Sequence, residues 1–466
     1  MCRAYARSGR SAGPQNDGRC PWSEPCPTRL RTATVTSTNG RHPSRVRREL
    51  VYGRRGACAP PPVMNHTMRR LVSRSIRLRR RAHRRIIRLL HPGGFRALPV
   101  GVNLIGPAGS SGLAVKTRDY ARALESAGIP VTVHLLTDNA LASSARRRIG
   151  IRRTPKHAFT ITLAQPLFFD VNRMPVPLTT GRFVIADWIW EQTELPEKYT
   201  RAIEHVDEIW ASSEFVRSAY ERATTKPITL IPHPVRDPDP ALPPMDRRRF
   251  GIPDDRFMFL TIAAMSSSMV RKNPLGAMHA FRAAFPHGQT DAVLVIKLLS
   301  GDYNPSPEEQ RARFAMDPAF GPDIILAIDG LSDTEMTALV RSCDAYVSLH
   351  RAEGFGLGAA EAMSMGKAVI VTNWSGSADF LTAENSLPVP YELVTIDEPG
   401  MYMYLRGLQW AEPDIRVAAQ HMRTLIEDPS LGEALGRRAA QDIERGYSIA
   451  STGAMMAARL RELHER

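Results

Sequence analysis

At 466 residues the chain is long enough for two ordinary domains plus appendages, and its net charge of +15 would by itself suggest a nucleic-acid partner. The charge is uneven: residues 1–93 hold 22 arginines, no lysine and three acidic residues, a net of +19, while 40 basic and 44 acidic residues leave the remainder at −4. Cys2, Cys20, Cys26 and Cys58 share that arginine-rich stretch and only Cys343 lies in the body, which excludes a disulfide framework there and points to free thiols in a reducing cytoplasm.

No run of about 18–20 apolar residues predicts a spanning helix, and no apolar segment follows Met1 as in a secretory signal. Residues 1–67 are poor in large apolar side chains and read as a disordered tail, or as a stretch upstream of a true start at Met64 or Met68. From Met68 to Leu90, ten arginines alternate with Leu71, Val72, Ile76, Leu78, Ile86, Ile87, Leu89 and Leu90. This pattern predicts a basic amphipathic helix within a 68–97 arm, suited to an anionic membrane surface; a solvated arm is the competing reading. A nucleic-acid role has only the bare charge behind it, because no aromatics are interleaved.

The body begins near residue 98 as an alternation of apolar strands and amphipathic helices. A strand over 100–106, a turn at Gly109–Gly112, a helix over 114–127 ending at Gly128 and a strand over 129–136 form a Rossmann-like opening. Further strands are predicted over 183–186, 208–211 and 228–231, with a helix over 214–224. Seven prolines between Pro232 and Pro253 mark an interdomain linker. The pattern then restarts with strands over 257–263, 292–297, 323–328, 345–349 and 368–372 and helices over 274–284 and 332–341. Helices are expected from there to Arg466.

Between the strand at 345–349 and a short helix closed by Gly366 runs His350-Arg351-Ala352-Glu353-Gly354-Phe355-Gly356-Leu357, with Glu361 eight positions after Glu353. A strand, a glycine-rich turn and a helix N-terminus present free N–H groups and a positive dipole end, a ready phosphate site. The two glutamates can accept hydrogen bonds from hydroxyls. Hydroxyls beside a diphosphate describe a nucleotide sugar.

Glu353 to Glu361 resembles the E-x7-E motif of retaining glycosyltransferases of the GT-B fold, family 4. Ile189-Trp190-Glu191, Val206 to Ser213 and Ile231-Pro232-His233-Pro234 are similar to that family's first half. Arg271-Lys272-Asn273-Pro274, Val295-Ile296-Lys297 and Asn373-Trp374-Ser375-Gly376 are similar to its second. The resemblance covers roughly 98–466. It implies two Rossmann-like α/β domains facing across a cleft: an acceptor domain over 98–240, a donor domain over 241–440, and a C-terminal helix over 441–466 crossing back to the first.

It further implies that Glu353 steadies charge at the donor sugar and Glu361 holds the ribose hydroxyls. The amides of Gly354, Phe355, Gly356 and Leu357 would line sugar and diphosphate, with Lys272, Arg271 and Lys297 meeting the leaving charge without a metal. Ser267 stands where the family's usual arginine lies, so Arg271 would substitute. Gly109 and Gly112 would approach the donor phosphate from across the cleft, or simply make a turn. Asp187 or Glu191 would orient the acceptor. Trp188 and Trp190 would stack on a sugar ring or simply pack, and His233 is a hinge or catalytic residue. Asp237-Pro238-Asp239 is a D-x-D in a proline-rich linker and is read as chance.

No bound cofactor or metal is expected, only a GDP- or UDP-hexose co-substrate. The expected partners are a glycan or lipid-linked acceptor, in the cytoplasm or at the cytoplasmic face of a membrane. Two rivals remain: another GT-B activity such as a nucleotide-sugar epimerase, and a catalytically idle binding protein recruited to membranes.

Overall fold

The computed structural model describes residues 94–109, 111–136, 155–166, 176–236, 239–264, 268–288, 291–299, 307–327, 330–397 and 405–466. The tail, the basic helix expected over 68–90, and Ser267 lie outside the described residues.

In the first half, β1 (Val102–Pro107), α1 (Gly112–Ser126), β2 (Val131–Leu136), β3 (Phe159–Thr162), α2 (Val176–Thr179), β4 (Phe183–Ala186), α3 (Glu197–Ile203), β5 (Glu208–Ala211), α4 (Glu214–Glu221) and β6 (Ile228–Leu230) follow in chain order. The strands form one parallel sheet in the order β2-β1-β3-β4-β5-β6. β1, β3, β4 and β5 are covered on both faces, which is why they read as short apolar runs and not as alternating ones.

The second half repeats the scheme. β7 (Phe257–Ala264), α5 (Met269–Lys272), α6 (Pro274–Ala284), β8 (Ala292–Leu299), α7 (Pro307–Ala315), β9 (Ile324–Ala327), α8 (Asp333–Ser342), β10 (Ala345–Ser348), α9 (Leu357–Ser364), β11 (Ala368–Thr372) and β12 (Leu387–Val389) build a parallel sheet ordered β12-β11-β10-β7-β8-β9. Apolar side chains cover both of its faces, from Phe259, Phe281 and Met422 on one to Leu260, Met363 and Val371 on the other. In both sheets the order reverses at a central strand. The crevice outside the carboxyl ends at that point is where open α/β sheets take ligands.

Two expectations need correction. The stretch after residue 372 is not wholly helical: β12 joins the sheet, and β13 (Tyr391–Thr395) pairs antiparallel with β14 (Gln409–Pro413) as a separate hairpin. The return to the first domain also starts later than 441. α10 (Ile415–Glu427) and most of α11 (Pro429–Tyr447) pack on the second domain, and the chain crosses at Ser448 into α12 (Ile449–Glu465).

α12 buries Met456, Ala457, Leu460 and Leu463 against Tyr120, Leu124, Phe159 and Trp210 of the first domain. Its Arg459 donates to both carboxylate oxygens of the fully buried Glu208, at 2.9 and 2.7 Å. Glu208 also accepts from Trp210 Nε1 and Thr229 Oγ1, so this buried ion pair is fully hydrogen-bonded.

Candidate active site

The Arg271-Lys272 corner is set by local chemistry. Ser268 caps the single turn α5 by accepting from Arg271 N–H, and Asn273 leaves it in the left-handed region at φ 51°. The Asn273 side chain then caps α6, with Pro274 at that helix's first position, and donates to Leu349 O at 2.9 Å. Arg351 pins the corner from the other side, donating its N–H to Arg271 O at 2.7 Å and its Nη1 to Val270 O at 2.6 Å.

The consequence is a fixed cationic pair around Glu353. Lys272 Nζ lies 2.5 Å from Glu353 Oε1 and Arg271 Nη1 3.3 Å from Oε2. Burial works to raise the Glu353 pKa, but the Lys272 and Arg271 charges outweigh it and hold the carboxyl down at about 2. The Glu353 backbone is anchored as well, its N–H donating to Ser375 Oγ and its carbonyl accepting from Gly376 N–H. Arg271 reaches further, to within 3.6 Å of Glu191 in the first domain. A chain of alternating charge therefore crosses the cleft from Glu191 through Arg271 to Glu353.

Beyond Glu353 the loop turns into α9 at Gly356, whose φ of 98° is a left-handed conformation that glycine adopts without strain. No side chain caps this helix, so its leading N–H groups remain directed out of the turn. Gly354 has a different reason. A Cβ there would lie 2.2 Å from Ile189 Cγ2, and its carbonyl accepts from Ser212 and Ser213 Oγ at 3.2 and 2.8 Å. The absence of a side chain at Gly354 thus serves the contact between the two domains, in place of the expected approach to a ligand. The Phe355 side chain is likewise core, 5.7 Å from the His233 ring and packed on Phe380 and Tyr447. The ligand role expected of Phe355 and Leu357 belongs to their backbone amides, which these side-chain contacts leave unaffected.

Glu361, on the next turn of α9, is half-buried. Desolvation pushes its carboxyl up to about 7, with Arg236 pulling against it and Asp119 and Asp333 adding to it. Lys297 is buried at the ends of β8 and β9 and donates to Leu298 O and Ala327 O at 3.2 Å each.

In the first domain the structure departs from expectation. Asp187 is 1 % exposed, with one oxygen 2.5 Å from Lys116 Nζ and the other accepting from Tyr120 Oη. Both oxygens are thus taken inside the domain, which argues against acceptor contact. Burial lowers the Lys116 pKa against the pull of Asp187. Sequence reasoning missed Lys116; the available signal was its place four residues before Tyr120, on the buried face of α1.

Trp188 and Trp190 are core residues packed on Tyr199, with Trp190 Nε1 donating to Glu194 O, so neither offers a stacking face. His233 donates from Nδ1 to Pro234 O, and burial together with Lys116 lowers its pKa to about 3, so the buried ring is neutral. Gly109 has φ 97° and its carbonyl accepts from Arg118 Nη1, while Arg118 Nη2 meets Asp333 of the second domain at 2.6 Å. Gly112 opens α1 with nothing within 4 Å of a would-be Cβ. Among the described residues no group of three His, Cys, Asp or Glu side chains is placed to hold a metal ion.

Solved structures share this architecture. A sucrose-phosphate synthase from Thermosynechococcus elongatus aligns with TM-score 0.57 at 16% identity, covering 78% of this chain and 99% of that one. A glycosyltransferase from Rickettsia africae gives 0.57 at 15% identity, over 78% and 98%. HepE from Anabaena, in complex with UDP and glucose, gives 0.53 at 13% identity, over 78% and 99%. A search of curated proteins by sequence finds no match. The fold is therefore that of the GT-B glycosyltransferases, two Rossmann-like domains across a cleft, and residues 245–442, the stretch that carries Arg271, Lys272, Lys297, Glu353 and Glu361, match the family described as glycosyl transferases group 1.

Proposed function

We propose that the chain is a metal-independent retaining glycosyltransferase that moves a hexose, glucose or mannose, from a UDP- or GDP-sugar to a glycan or lipid-linked acceptor. The observation that carries this reading is the convergence of Lys272 and Arg271 on Glu353 beside the uncapped start of α9. A departing diphosphate needs cations and N–H donors already in place, and these are held by the capped corner before any ligand arrives. Glu353 holds the two cations in position. With donor bound, the diphosphate shares the two cations, and the Glu353 carboxylate faces the sugar, where positive charge develops at the anomeric carbon.

Glu361 accepts hydrogen bonds from the ribose hydroxyls, which requires its ionised form. Glu191, tied to Arg271 and partly exposed, orients the acceptor in place of Asp187. The acceptor hydroxyl attacks from the side of the leaving group. The C–O bond to the diphosphate breaks, the new glycosidic bond forms, and the acceptor proton passes to a leaving phosphate oxygen. HepE, a neighbour in fold, was solved with UDP and glucose, which agrees with a nucleotide-sugar donor here.

The test is product analysis with UDP- and GDP-hexoses. NMR of the product should show the donor's anomeric configuration, and Glu353→Gln should lower kcat by on the order of 10²–10³. An inverted anomer would overturn the mechanism. Conversion of the donor to its epimer with no acceptor present would favour an epimerase.

A further inference from the structure

Between the two domains lies a cavity of about 570 Å3, within the usual size of small-molecule clefts. The first domain contributes Thr193, Glu214, Phe215 and Arg222, and the second contributes Trp374, Leu393 and Gln409. Trp374 is half-buried, its ring centroid 5.1 Å from Phe215 and 6.1 Å from Tyr391 of the β13–β14 hairpin. Leu393 in the same strand is 46 % exposed and adds an accessible apolar surface to this wall.

The cavity is wired to the centre by neighbouring residues on both sides. In the first domain, Glu191 meets Arg271, Gln192 clasps Leu405 by donating to its carbonyl at 2.8 Å and accepting its N–H at 2.7 Å, and Thr193 lines the cavity. In the second, Trp374 lines the cavity while Ser375 holds the Glu353 N–H.

We propose that this cavity is a carbohydrate subsite, holding a neutral sugar unit of the acceptor remote from the one that receives the transferred hexose. The proposal rests on the glycosyl-transfer reading. The chemistry of the wall selects the ligand. Pyranose faces present C–H groups of slight positive charge, which suit the negative face of an aromatic ring, while hydroxyls around the rim suit Arg222, Gln409 and Thr193. Glu214 and Arg222 give the wall one charge of each sign, and Glu214 is paired with Arg217 at 2.8 Å, so the wall holds no surplus of cations that would select a phosphate or nucleotide over a neutral sugar.

The experiment uses the full chain with α-linked tri- to pentasaccharides of glucose and of mannose, followed by saturation-transfer NMR and equilibrium titration. At least one should bind, and Leu393→Asp and Trp374→Leu should each weaken it at least tenfold. Leu393→Asp changes an exposed side chain and so leaves folding intact. Melting shifts with UDP and GDP are read in the same variants. Oligosaccharides that fail to bind the parent protein, or bind both variants as well as the parent, overturn the subsite even if a nucleotide stabilises the protein. Oligosaccharide binding lost in the variants, with no response to any nucleotide in the parent, keeps the subsite and removes the donor reading instead.

Discussion

Glu361 shows how far a single carboxyl can be tuned by its surroundings. With its pKa near 7 in the fold against an ordinary 4.5, the folded protein holds a proton that the unfolded chain has already lost between those values. Stability therefore falls as pH rises from about 4.5 through 7 on this group's account. A ribose, by contrast, needs the ionised form. Nucleotide affinity should weaken roughly tenfold from pH 8 to pH 6. Titration of Glu361→Gln should show a flat pH dependence, much weaker binding, and a melting temperature above the parent's at pH 8. Glu353 has the opposite sign: held at about 2, it contributes stability above 4.5 that is lost as pH falls toward 2. Replacing Lys272 by Met leaves that buried carboxylate with less compensation and should cost about 1–3 kcal/mol in denaturant unfolding.

What was legible at this scale was chemistry that sits close in sequence. Glu353, Gly356 and Glu361 share one loop and helix, and Arg271 and Lys272 share one corner, so their spacing carried the reading. The Lys116–Asp187 pair spans 71 positions, and no local pattern announces it. For the same reason Gly354 was read as a ligand glycine, because the constraint on it comes from Ile189 in the other domain.

Among elements, the buried parallel strands were readable because their apolar runs are bounded by turn residues. β3, four residues long, and the β13–β14 hairpin were not. In Tyr391–Thr395 most side chains are exposed, so the sequence lacks the buried run that marked the other strands. α12 is the element whose removal should matter most to the first domain. Arg459→Ala leaves the buried Glu208 carboxylate without its charge partner and should cost about 3–5 kcal/mol. The double variant Glu208→Leu, Arg459→Met should be milder than that single change, and equal or greater damage in urea unfolding would contradict the account of this lock.

For the whole molecule, the contacts across the cleft differ in weight. Arg118–Asp333 is a substantially exposed pair, and Arg118→Ala should alter stability by less than about 0.5 kcal/mol. Gly354→Ala drives a methyl group into Ile189 and should wedge the domains apart, with loss of about 1–3 kcal/mol and of turnover. Ile189→Ala in the same chain should restore part of both. The cleft thus combines a rigid cationic corner, an uncapped helix start and a close interdomain approach, all present before ligand binds.

The most direct measurement is thermal unfolding of the full chain with UDP, GDP and ADP, compared with Glu361→Ala. One nucleotide at about 100 times its dissociation constant should add about 2.7 kcal/mol, a shift of several degrees, and the variant should lose it. No shift with any of the three, or an equal shift in parent and variant, would contradict the donor site placed between Arg271, Lys272, Glu353 and Glu361.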